Sequence, residues 1–133
     1  MLSIELAVAS ATHSSVDITA RLGIEPSFQR AKGTPTRSNP ARLTTEQEWA
    51  IELARSDSNW VAIERFESVI LGWGRSLAAK LGDLRDEGAT VILHLNQELD
   101  ADDDSTRGLA FGWQTVQWLG LATADISLDQ YVD

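Results

Sequence analysis

Four segments of this chain alternate apolar and polar residues with the period of a β-strand, and this alternation limits the possible folds most strongly. The segments cover residues 3–9, 45–53, 89–95 and 125–132. Clean alternation is typical of strands that bury one face and leave the other in water. A sheet built from these segments therefore needs helices on one face only.

Three other segments have apolar residues at the spacing of an α-helix. The longest covers residues 58–82, where apolar side chains recur every three or four positions. A short helix is predicted after Ser14 and Ser15, because either side chain can cap its first turn. A third helix is predicted over residues 113–122.

These elements together predict an α+β fold. Short strands are also expected within residues 27–32 and at 109–111, which makes the predicted order βαββαβ followed by β-α-β. We therefore expect a mostly antiparallel sheet with helices packed on one face and a ferredoxin-like first half. Because 133 residues is a usual length for one domain, residues 1–133 are predicted to form a single domain.

The composition argues against several kinds of chemistry. The chain has no cysteine, which excludes disulfides, thiolate metal sites and thiol nucleophiles, and its two histidines lack paired spacing, so neither a metal nor a cofactor is expected. A net charge of −9 argues against binding to nucleic acid or to an anionic membrane. A cytoplasmic location is expected, since neither a membrane span nor a signal peptide is visible.

Acidic residues collect on the polar side of the predicted strands. If the apolar side faces the helices, and if the strands over 3–9, 45–53 and 125–132 neighbour one another, six carboxylates converge on the polar face. They are those of Glu5, Glu46, Glu48, Glu52, Asp125 and Asp129. His94 alternates in the same way and is expected on the same face. Because neighbouring like charges cost stability, such a face is a candidate site for a basic protein partner. The alternative is an ordinary solubilising surface.

The same carboxylates are not predicted to form a hydrolytic pair. Asp125 and Asp129 lie about 13 Å apart along a strand, which exceeds the ~5–9.5 Å between glycosidase carboxylates. Glu46 and Glu48 are about 6.6 Å apart on the same basis, but no apolar residue on that face would raise a carboxyl pKa. No catalytic residue is predicted, and an enzyme is the least supported class.

Two other polar clusters are predicted to be structural. The acidic run within residues 98–106 fails the EF-hand pattern, since Ser105 stands where glycine is needed and Phe111 where the bidentate glutamate belongs, so a solvated loop is expected. His13 precedes Ser14, but neighbours at a helix start rarely converge as a catalytic triad, so this segment is predicted to cap the helix.

Residues 21–42 carry the opposite charge, with five basic residues against Glu25 alone. An anion or small molecule is therefore an alternative ligand, bound by Arg30, Lys32 and Arg37 in the loop over residues 30–42. The order of glycine, lysine and serine or threonine that defines a P-loop is absent. The other interpretation is structural, with these arginines paired to the acidic remainder of the chain.

Several short runs carry a family resemblance. The run Asp17–Pro26, Asp-Ile-Thr-Ala-Arg-Leu-Gly-Ile-Glu-Pro, resembles the opening signature of the bacterial domain-of-unknown-function 4279 family. Lys32-Gly33, Trp49-Ala50-Ile51 and Asp129-Gln130-Tyr131 are similar to its later motifs, although the polar Gln130 departs from an apolar position. The resemblance implies a small single-domain bacterial protein and no assigned activity.

Three functions follow as hypotheses. The first is a non-enzymatic protein-binding module, of the immunity or antidote type, whose acidic sheet face masks a basic effector such as a nuclease. The second is a sensor of anions or small molecules that uses the basic loop. The third is self-association through an edge strand or through Trp118, although Trp118 is more readily explained as a core residue. Trp49, Trp60, Trp73 and Trp113 also fall at core-like positions.

Overall fold

The computed structural model describes residues 1–102 and 108–132, which contain five strands and three helices. The elements are β1 (Leu2–Ser10), α1 (Ser15–Leu22), β2 (Phe28–Arg30), β3 (Gln47–Ser56), α2 (Asn59–Asp86), β4 (Thr90–Leu99), α3 (Trp113–Leu121) and β5 (Asp125–Val132). Ser14 caps α1 as predicted, because its side chain accepts a hydrogen bond from the Asp17 amide.

The strands form one sheet in the order β2-β3-β1-β4-β5. Neighbours are antiparallel, except that β5 runs parallel to β4. The first four strands with α1 and α2 have the order of a ferredoxin-like βαββαβ unit, and α3 then provides the crossover that a parallel neighbour requires. The predicted α+β fold with a mostly antiparallel sheet is confirmed.

The strand predicted at 109–111 is wrong, since residues 108–112 have no strand assignment. The ring of Phe111 instead packs edge-on against Phe66 of α2, with ring centroids 5.8 Å apart. Leu109 also packs against the core. Both side chains serve the hydrophobic core from a coil segment, and two apolar residues spaced by two positions do not distinguish this arrangement from a strand.

The core lies between the sheet and the helices. On the central strand β1, Ile4, Leu6 and Val8 are buried, as the alternation predicted, and Leu2 is buried with them. Trp49 of β3 is buried beside them and donates its indole N–H to Thr19 Oγ1 of α1 at 3.1 Å. Each such large apolar side chain contributes about 1.5–3 kcal/mol to folding.

Helix α2 is interrupted at Gly74, whose φ of 77° and ψ of −178° are not helical. A residue with a β-carbon adopts this backbone region only under strain. The interruption frees the Gly74 carbonyl oxygen, which accepts a hydrogen bond from Trp118 Nε1 at 2.9 Å. The break in α2 is therefore the place where α3 docks. No helix in the described part of the chain is both long and apolar enough to cross a membrane.

The division of the tryptophans between core and surface differs from the prediction. Trp49 is in the core as expected, and Trp118 is buried as well, so it is not available as an interface anchor. Trp60 and Trp113 were predicted as core residues, but they are 73% and 72% exposed. Each lies in the first turn of its helix, α2 or α3, where the apolar stripe extends beyond the packed layer.

Candidate binding face on the open side of the sheet

The helices cover one face of the sheet, and the register of the strands decides which side chains point the other way. Ala7 of β1 lies opposite Ala50 of β3 on one side and Ile92 of β4 on the other. Following the register outward defines the open face as Phe28, Arg30, Glu48, Ala50, Glu52, Arg55, Ser3, Glu5, Ala7, Ala9, Thr90, Ile92, His94, Asn96, Glu98, Asp125, Ser127, Asp129 and Tyr131.

A cavity of about 400 Å³ lies over the middle of the open face. Its base is formed by the small side chains of Ala7, Ala9 and Ala50, with Phe28 and Ile92 beside them. Alanine side chains rise little above the sheet, so longer neighbours on either side leave a depression between them. The polar residues around this apolar base are Glu5, Arg30, Glu48, Thr90 and His94.

Glu5 is the carboxylate closest to the centre of the sheet. It lies directly opposite Glu52 on β3 and opposite His94 on β4. Glu48 is on the same face, opposite Ala9. Predictions that Glu5, Glu48, Glu52 and His94 share one face therefore agree with the register.

The other predicted carboxylates do not join this group. Asp125 and Asp129 are on the open face, but β5 pairs only with β4 among the described strands. β5 is thus two strand spacings, about 10 Å, from β1. Glu46 lies just before β3 rather than within it. The expected convergence of six carboxylates is wrong, because it required β5 to neighbour β1 or β3, and β4 lies between them.

Several of these carboxylates already have a basic partner. Glu48 pairs with Arg30 at 2.6 Å and Glu52 with Arg55 at 2.6 Å, while Asp125 pairs with Arg85 at 3.2 Å. Exposed pairs of this kind contribute about 0–1 kcal/mol each, and they lower the local negative charge.

Glu5 and Asp129 differ from these paired carboxylates. Within residues 1–102 and 108–132 neither one has an ion pair. The uncompensated charge beside the cavity is therefore that of Glu5.

The basic residues predicted as an alternative ligand site are not used together. Arg30 pairs with Glu48 on the open face, whereas Lys32 donates from Nζ to the Ala11 carbonyl oxygen at 3.2 Å. Arg37 is exposed at the far turn of the loop. The described contacts thus give each of the three residues a different environment.

A chain of polar contacts that the sequence did not indicate lies at the end of β1. Ser10 Oγ is 2.8 Å from His13 Nδ1, and His13 Nε2 is 3.2 Å from Glu87 Oε1. The order resembles a serine–histidine–carboxylate triad, but Ser10 is only 1% exposed, and its oxygen accepts the backbone N–H groups of Thr12 and His13. A nucleophile must reach its substrate, so this cluster is structural.

Glu87 is the acidic end of that cluster and joins α1 to the end of α2. Hydrogen bonds from Arg21, and next from His13, lower the pKa of Glu87 to about 2. The same pairing raises the pKa of Arg21. Because His13 and Glu87 are 74 positions apart, no local pattern could have revealed the contact.

The predicted acidic loop is described only in part. Glu98 and Leu99 belong to β4, so they are not loop residues. Residues 100–102 follow the strand and are exposed. Residues 103–106 lie outside the described residues. Over 1–102 and 108–132, no three histidine or acidic side chains are grouped to hold a metal ion.

The family model described as a domain of unknown function (DUF4279) matches residues 2–133. The chain therefore belongs to the DUF4279 family, as its resemblance indicated, and this family has no assigned activity. The comparison with curated proteins found no significant match, and neither did the comparison with solved structures.

Proposed function

We propose that this protein is a non-enzymatic binding module whose open face takes a basic segment of a protein partner. The observation that carries the proposal is the cavity over Ala7, Ala9 and Ala50, with the unpaired Glu5 at its border. An arginine or lysine side chain fits this combination, because its aliphatic stem covers apolar surface while its charged end stays near a carboxylate.

The charge of the whole chain supports the same kind of partner. A net charge of −9 attracts basic proteins at long range and raises the rate of association at low salt. In its more specific form, the proposal is that this protein masks a basic effector such as a nuclease, as an immunity or antidote protein does. Its support is the size, the charge and the chemistry of the cavity.

The test compares two variants with the same net charge. Tagged wild-type protein, Glu5→Lys and Glu64→Lys are used to capture partners from lysate of the source cells at low and high salt. Both substitutions reverse one exposed or half-exposed carboxylate, but Glu64 lies on α2, away from the open face. We expect a stoichiometric basic protein with the wild type and Glu64→Lys, and at least tenfold less with Glu5→Lys.

A second pair of variants tests the cavity itself. Ala7→Phe fills the depression, whereas Ala79→Phe adds the same side chain at an exposed position of α2. Only Ala7→Phe should abolish capture. Equal loss in both lysine variants would indicate ion exchange in place of a site, and unchanged capture by Ala7→Phe together with Glu5→Lys would rule the open face out.

A further inference from the structure

The two edges of the sheet differ in how well they are protected against pairing with another strand. β2, at one edge, has only three residues. β5, at the other edge, has eight residues and contains no proline, lysine or arginine. Short edge strands, prolines and charged side chains, lysine above all, are the usual means of blocking edge-to-edge association. β5 has neither the shortness nor a proline nor a lysine, and its only charges are Asp125 and Asp129, which both lie on the open face.

The helix-side face of β5 is uncovered and, apart from Gln130, apolar. Ile126, Leu128 and Val132 point to the side where helices cover the rest of the sheet, yet they are 55%, 45% and 66% exposed. Helix α3 does not cover them, because it packs against α2, where Trp118 bonds to Gly74 and the Leu121 carbonyl lies close to Gly82. An open edge and an exposed apolar strip thus occur on the same strand.

From this combination we infer that β5 pairs antiparallel with β5 of a second copy of this chain, about a twofold axis perpendicular to the sheet. Such an axis keeps the helices of both copies on one side, so the two sheets join into one continuous sheet. Odd-numbered residues then lie opposite odd-numbered residues, and even-numbered residues opposite even-numbered ones, since opposed side chains point to the same face.

The charges on β5 select one register. With Leu128 on the axis, Leu128 faces its own copy, Ser127 faces Asp129 of the second copy, and Asp125 faces Tyr131 of the second copy. Centring the pair on Ser127 places Asp125 opposite Asp129, and centring it on Asp129 places that aspartate opposite itself. Both arrangements put like charges together, which is destabilising. Registers centred farther along the strand pair fewer residues.

The Leu128 register brings one apolar residue of each copy together at the axis. Leu128 of each copy meets across the axis, and Ile126 lies opposite Gln130, whose amide is hydrogen-bonded to the buried Gln97 of β4. A single strand pair buries less than the ~1,600 Å² of a standard interface. The dimer is therefore expected to depend on protein concentration. The protein should be a monomer at about 1 μM and should become a dimer well below about 1 mM.

Sedimentation velocity over that concentration range tests the inference. The wild type should change from monomer to dimer, and Leu128→Lys should remain a monomer because two cations would meet on the axis. An equimolar mixture of Leu128→Lys and Leu128→Glu should associate again. Trp60→Lys, which alters an exposed apolar residue of α2 outside β5, is the control and should still dimerise.

Single cysteines test the register, because the chain has no cysteine of its own. Directly opposed residues have β-carbons about 4.5–5.5 Å apart, which is close enough for a disulfide after a small adjustment. The β-carbons of diagonal neighbours are too far apart to be bridged. Leu128→Cys should form a covalent dimer on mild oxidation, and Ser127→Cys should not.

Three results would overturn the inference. They are a monomer up to about 1 mM, a dimer that Leu128→Lys leaves intact, and faster cross-linking through Ser127→Cys than through Leu128→Cys. Since none of these experiments involves Glu5 or the cavity, their failure would leave the proposed function of the open face unaffected.

Discussion

The two faces of one sheet follow opposite rules in this protein. On the covered face, large side chains such as Trp49, Leu6 and Leu93 are fully buried, and each has a defined neighbour. On the open face, the central positions are small, and the charged positions include two glutamates placed opposite each other, Glu5 and Glu52. The covered face is arranged for stability, whereas the open face keeps features that stability alone does not favour.

A substitution on the covered face is expected to change the free energy of unfolding most. Trp49→Ala should lower the free energy of unfolding by about 3–5 kcal/mol, because it leaves a cavity in the core and removes the bond to Thr19. Urea denaturation measures this directly. The exposed Trp60→Ala should change it by about 0.5 kcal/mol or less. Equal losses of unfolding free energy in the two variants would contradict the assignment of Trp49 to the core and Trp60 to the surface.

The junction between α2 and α3 should give the next largest effect. Gly74→Ala should cost about 1–3 kcal/mol, because the backbone of Gly74 is in a region that alanine adopts only under strain. Gly72→Ala is the matched control, since no atom lies within 4 Å of its added β-carbon. In a helix interior that change should stabilise by about 0.5–1 kcal/mol. If both substitutions stabilised the protein, the break in α2 would not be needed for docking α3.

A substitution on the open face should act in the opposite direction. Glu5→Gln removes the repulsion from Glu52 while keeping the shape of the side chain, so it should stabilise by about 0.2–1 kcal/mol. The same denaturation experiment with Glu64→Gln, on the outside of α2, should show almost no change. A clear loss of stability in Glu5→Gln would mean that this carboxylate is structural, and the contrast between the two faces would fail.

The smallest effect concerns the ion-pair cluster at Glu87. Because the pKa of Glu87 is lowered from 4.5 to about 2, its stabilising contribution is present above pH 4.5 and is lost as the pH falls toward 2. The melting temperature of Glu87→Gln should therefore be below that of the wild type at neutral pH, and the difference should disappear near pH 2. A difference that persists in acid would assign the effect to packing.

What could be predicted from the sequence also differs between the two faces. Alternation in β1 and β3 placed Leu6, Trp49 and Glu5 on the correct sides, since a strand has only two sides and the core requires the apolar one. The position of β5 relative to Glu5 depends on how the chain crosses over through α3, which no local pattern encodes. The cavity was missed for the same reason, because Ala7, Ala50 and Ile92 come from three separate segments.

Long-range contacts account for the remaining differences. Glycine at position 74 predicted only a weaker helix, and its actual role appears when Trp118 provides a donor for the freed carbonyl oxygen. Trp60 and Trp113 fit the helical stripe, but the stripe does not indicate where the opposing layer ends. Ser10 and His13 were too ordinary as single residues to suggest a contact with Glu87.

The central place of β1 has a consequence for how the chain folds. β1 is made before any of its neighbours, yet Leu2 pairs with Ser56 on one side and with Gln97 on the other. The edge of β1 that pairs with β3 therefore stays open until residue 56 has been made, and the edge that pairs with β4 stays open until residue 97 has been made. Pairing over such sequence distances is slow, so the nascent chain passes through a period in which an apolar strand has unpaired edges and is exposed to aggregation.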